Sequence, residues 1–105
     1  MIVSTNRFLH LSFAMNETVD VTQIENMFNV DPTIEWMRYT LNSWVLVTTA
    51  DPLDIAKLVR SVRGMENANV FVCVFTEYGS YLPTSLWNWM AENTPGGLSK
   101  PTHTA

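Results

Sequence analysis

The chain has 105 residues, of which 47% are hydrophobic and only 15% charged, with a net charge of −4; an average globular protein is roughly 25% charged. That length excludes two independent cores, and that apolar share excludes a chain disordered by composition. Six Lys and Arg in all are too few to neutralise a row of phosphates, so nucleic-acid binding is disfavoured.

The single cysteine, Cys73, excludes an intrachain disulfide. It sits in an apolar stretch and reads as a small buried hydrophobe. Residues 1–7 (MIVSTNR) carry neither the basic stretch nor the long apolar run of a signal peptide. No run reaches the roughly 18 apolar residues of a spanning helix. A cytoplasmic protein without a membrane segment is the expectation. Four Trp, five Phe and six Met in so uncharged a chain predict apolar surface that meets a partner.

Residues 8–15 (FLHLSFAM) alternate with period two, which predicts a first strand with Leu9, Leu11, Phe13 and Met15 on one side and Phe8, His10 and Ser12 on the other. Asp20 followed by Gln23 resembles a capping box, and Val21, Ile24, Met27 and Phe28 then make one helical stripe. Asp31-Pro32 ends that helix, because proline disfavours helix in the residue before it.

Residues 33–41 (TIEWMRYTL) are rich in β-branched and aromatic side chains and predict a second strand. The short link at Asn42-Ser43 leads into a third strand, 44–49 (WVLVTT), and forces the two to be antiparallel neighbours. Asp51-Pro52 predicts a second helix, with Asp as cap and Pro at its first position. Ile55, Leu58, Val59 and Val62 form its apolar side, Lys57, Arg60, Ser61 and Arg63 take the opposite side, and Gly64 closes it. The fourth strand, 69–76 (NVFVCVFT), is apolar on both faces, which predicts a central or covered position. A short third helix follows over 86–92, started by Pro83-Thr84-Ser85 and with Leu86, Trp89 and Met90 on one side.

The order β-α-β-β-α-β is that of a split β-α-β repeat. The expected fold is an α+β, ferredoxin-like sandwich in one domain over 1–94, with a flexible tail over 95–105. Right-handed crossovers place both main helices on one face of a four-stranded antiparallel sheet. The other face is then left to the terminal helix or to a second subunit.

No catalytic constellation emerges. His10 has no second ligand at metal-site spacing, and two His with one Cys cannot supply the four close ligands of zinc. Glu17, Asp20 and Glu77 read as loop charge and helix capping rather than as magnesium ligands. There is no nucleophile elbow and no phosphate loop, so no metal and no cofactor is expected. The candidate binding residues are Trp36, Arg38, Trp44, Tyr78, Tyr81 and Trp87. Such aromatics stack bases in ferredoxin-like RNA-binding domains, but those domains surround them with cations. Packing and a protein interface, a homodimer above all, fit this acidic chain better.

Residues 43–49 (SWVLVTT), the helix from Asp51 and residues 69–75 (NVFVCVF) resemble the small SinR-like proteins, relatives of the compact CRISPR-associated adaptation nucleases; Trp87 matches a later Trp of that pattern. The resemblance spans about residues 7–90. It implies a ferredoxin-like dimer and, in some members, metal-dependent cleavage of nucleic acid at an Asp ending the first strand. Here residues 12–16 read SFAMN, without a carboxylate, so no catalytic residue carries over. Three readings stand: a non-enzymatic protein acting through homodimer or partner contacts, a divergent nucleic-acid-binding or nuclease-like protein, and a small-molecule-binding dimer with Trp and Tyr lining a cleft under the terminal helix.

Overall fold

The computed structural model describes residues 6–14 and 19–95. In chain order it contains β1 (Arg7–Phe13), α1 (Val21–Val30), β2 (Glu35–Thr40), β3 (Ser43–Thr48), α2 (Pro52–Arg60), β4 (Val70–Phe75) and α3 (Thr84–Glu92). The fold is α+β, with one open four-stranded antiparallel sheet in the order β2-β3-β1-β4. The expectations for Met15, for Glu17 and for residues 96–105 lie outside the described residues; Pro95, the first residue of the expected tail, is buried.

The alternation in β1 partitions the molecule. Leu9, Leu11 and Phe13 join Trp44 and Leu46 of β3 in a core closed by Ile24 and Phe28 of α1 and by Ile55 and Val59 of α2. Phe8 points the other way, into a smaller cluster with Met37, Val45, Val47 and Met90 of α3. Each fully buried Leu, Ile or Phe contributes about 1.5–3 kcal/mol relative to exposure, so two helices and two central strands supply most of the hydrophobic stabilisation. In the centre, Leu11 lies opposite Trp44, and the Phe13 and Trp44 rings stack with centroids 5.1 Å apart.

Asp20 caps α1 by accepting from the Thr22 backbone N–H at 3.0 Å. After α1, Asp31 Oδ1 accepts from both the backbone N–H and the hydroxyl of Thr33, at 2.9 and 2.6 Å. Residues 33 and 34 therefore belong to a turn, and β2 begins only at Glu35. The antiparallel pairing of β2 and β3 is as expected.

Three expectations are corrected. Asp51 precedes α2, but its side chain makes no capping hydrogen bond; it is taken by Arg7, whose Nη2 lies 3.3 Å from Asp51 Oδ1. The helix stops at Arg60 rather than at Gly64. Gly64 instead holds a left-handed φ of 92° in the following turn, a region closed to most side chains, and Met65 beyond it is fully buried. Finally, of the two positions expected for β4, central or covered, the central one fails: among the described residues it pairs only with β1 and forms one edge of the sheet. Its apolar faces are explained by α2 packing over one side and by Phe8, Tyr78 and the α3 cluster on the other.

Candidate functional site

Four of the six aromatic and basic candidates divide between the two faces of the sheet, while Trp87 belongs to α3 and Tyr81 to the loop before it. Trp36 and Arg38 of β2 lie opposite Leu46 and Trp44 of β3, on the side covered by α1. Trp44 is 0% exposed, and its Nε1 donates to Glu25 Oε2 at 3.0 Å. Arg38 Nε lies 3.5 Å from the same Glu25 oxygen, and Trp36 Nε1 donates to Asn29 Oδ1 at 2.8 Å. All three thus fasten α1 to the sheet. Any role as a base-stacking platform would require α1 to leave.

Tyr78 belongs to the opposite side. Its ring meets Phe8 and Phe75 edge-on, with centroids 5.8 and 5.5 Å away. Burial raises its pKa, so the phenol stays protonated, and its sheltered Oη has no hydrogen-bond partner among the described residues. Trp87 is half-buried in α3, and its Nε1 likewise has no partner among the described residues. Tyr81 is 87% exposed.

Between this face and α3 lies a cavity of about 320 Å³. Its polar lining consists of His10, Tyr39, Cys73, Glu77, Tyr78 and Ser80, set among Met37, Val45, Phe75, Leu82 and Met90. His10 Nε2 and Tyr39 Oη are 2.5 Å apart and share a hydrogen bond. Desolvation lowers the His10 pKa from 6.5, so the imidazole is neutral at neutral pH. Glu77 is then the sole charged group among the described lining residues. Cys73 lies opposite His10 in the register and is half-buried rather than buried.

The third feature is the outer edge of β4. The strand reads VFVCVF, with no charge, no proline and no irregularity in its pairing to β1. Natural edges are usually blunted by one of these devices, because a row of unpaired N–H and C=O groups is a template for another strand. Phe71 is 62% exposed there. At the N-terminal end of the strand, Val70 and Phe71 share a recess with Leu53, Lys57 and Arg60 of α2. Periodicity missed this edge, since alternation reports what covers the faces of a strand and is silent about its flanks.

Among the described residues no group of three or more His, Cys, Asp and Glu is placed to hold a metal, and no helix is long and apolar enough to cross a membrane. Comparison with known proteins finds no family model, no curated protein and no solved structure that matches the chain.

Proposed function

We propose that this chain is a non-enzymatic association domain of the cytoplasm, a ferredoxin-like sandwich that works through protein contacts as a homodimer or with a partner chain. The observation that carries the reading is the edge of β4, unpaired among the described residues, six apolar residues with Phe71 62% exposed. Strand addition along such an edge takes its affinity from main-chain hydrogen bonds and its specificity from alternate side chains. The ferredoxin-like assignment is supported by the sheet order: β2-β3-β1-β4, counted from the other edge, is β4-β1-β3-β2, in which a strand of each β-α-β unit separates the two strands of the other. The lone thiol suits a reducing compartment, and the SinR-like resemblance points to a dimer as well.

Nucleic acid is disfavoured further by the fate of the cations. Arg7 and Arg38 are held by Asp51 and Glu25, and the Arg60 guanidinium donates to the Glu66 carbonyl. Sedimentation of the full chain tests the association reading. A concentration-dependent larger species that Phe71→Lys abolishes is the expected result; a monomer throughout the micromolar range sinks the homodimer form of the reading.

A second reading, small-molecule binding, is favoured by the cavity under α3. A pocket of this size with a few convergent polar groups is typical of ligand sites, and a lining without Lys or Arg selects uncharged compounds. Quinoline should shift the amide resonances of Cys73 and Ser80, whereas anionic quinoline-2-carboxylate should not. Equal response to both, or to neither, removes this reading.

A further inference from the structure

We infer that β4 is the seam of a two-fold dimer, pairing antiparallel with β4 of a second copy of this chain in the register that sets Cys73 opposite Cys73. This rests on the association reading above and names its partner.

The strand is suited to its own copy. It carries no charge along its length, so self-pairing opposes no like charges, which destabilise cross-strand pairs. Its two ends differ in sign: Glu77 follows the C-terminal end, and Lys57 and Arg60 share a recess with Asn69 and Val70 at the N-terminal end. Antiparallel self-pairing brings each end beside its opposite. Leu53, 64% exposed on α2, and Phe71, 62% exposed, lie in that same recess and gain an apolar neighbour.

The pleat limits the register. A two-fold axis normal to the sheet keeps each face continuous, and directly opposed residues of an antiparallel pair point to the same face. Residues of one parity must therefore face residues of the same parity, so the axis passes through Val72 or Cys73. Centring on Val72 sets Phe71 against Cys73 and Phe75 against Asn69. Centring on Cys73 sets Phe71 against Phe75, Val72 against Val74, and Asn69 against Glu77. The second choice gives the exposed Phe71 an aromatic cross-strand partner, the more favourable pair. An eight-stranded sheet results, with the two α2 helices side by side on one face.

Directly opposed Cα atoms in an antiparallel pair are about 4.5–5.5 Å apart, inside the range of about 4.4–6.8 Å that a disulfide spans. The full chain at micromolar concentration, treated with copper–phenanthroline in air, should therefore yield a covalent dimer on a non-reducing gel; the thiols release two protons and pass two electrons to the oxidant. Cys73→Ser should stop the cross-link and leave the sedimenting dimer intact. On the Cys73→Ser background, a mixture of Phe71→Cys and Phe75→Cys chains should cross-link to each other, and Phe71→Cys alone should not. A dimer in solution that fails both cross-links overturns this seam and leaves the association reading standing. A monomer overturns the seam and the homodimer form of the association reading together. Cross-linking of Phe71→Cys to the native Cys73 of another copy, in place of Cys73 to Cys73, overturns the register.

Discussion

The indole Nε1 of Trp44 donates to the carboxylate of Glu25 across 3.0 Å, which joins the one aromatic of β3 to α1. Trp44 is inaccessible to solvent, so water cannot replace this acceptor. Glu25→Ala should lower unfolding stability in urea by about 1–3 kcal/mol, the cost of an unpaired buried donor. Glu25→Gln, which keeps a carbonyl acceptor, should recover most of it. Equal losses in both variants would place the effect elsewhere than in this hydrogen bond.

Tyr78 presents the reverse case. Its Oη is sheltered and has no partner among the described residues, so the folded state bears the desolvation of a hydroxyl without compensation. Tyr78→Phe keeps the edge-on contacts with Phe8 and Phe75 and removes that burden. Thermal unfolding should show a midpoint unchanged or raised; a clear fall would reveal a partner for the hydroxyl.

The two histidine-linked states predict an acid limb. Burial lowers the His10 pKa below 6.5, so between the folded and unfolded pKa values the unfolded chain binds the extra proton, and stability rises with pH. It is fully present above about pH 6.5 and is lost as pH falls through 6.5 toward the folded value. Asp31 and Glu66, held below 3.8 and 4.5 by the Thr33 side chain and by backbone N–H groups respectively, act in a lower window. Their contributions are lost only as pH falls through and below those values. Urea midpoints for native and His10→Phe chains from pH 7.5 to 3.5 should therefore separate the limbs: the variant flattens the upper one alone.

Gly64 and Gly79 should respond differently to alanine. Gly64 holds φ at 92°, so Gly64→Ala should cost on the order of 1–2 kcal/mol. A Cβ at Gly79 meets nothing within 4 Å, and Gly79→Ala should change stability by less than about 0.5 kcal/mol. Denaturant unfolding of the two variants side by side checks the contrast.

Much of the architecture was legible because it is written in short-range periodicity. The sides of β1, the buried stripe of Ile24 and Phe28, the start of α2 at Pro52 and the antiparallel β2–β3 pair all follow from spacing and turn chemistry. The bonding of Asp51 was not legible, since Arg7 is 44 residues away and competes for the side chain that would otherwise cap α2. Nor was the division of the aromatic candidates: Trp36 and Trp44 turn toward α1, and Tyr78 turns away, only once strands are paired.

By itself the sequence determined which segments are strands and helices and which residues share a face, because side-chain direction repeats within a few residues of backbone. Tertiary structure decided the order of the strands, and with it that VFVCVF lies at an edge and that α3 covers the second face. Those outcomes depend on backbone hydrogen bonds between segments far apart in the chain, for which neither hydrophobicity nor period carries a mark.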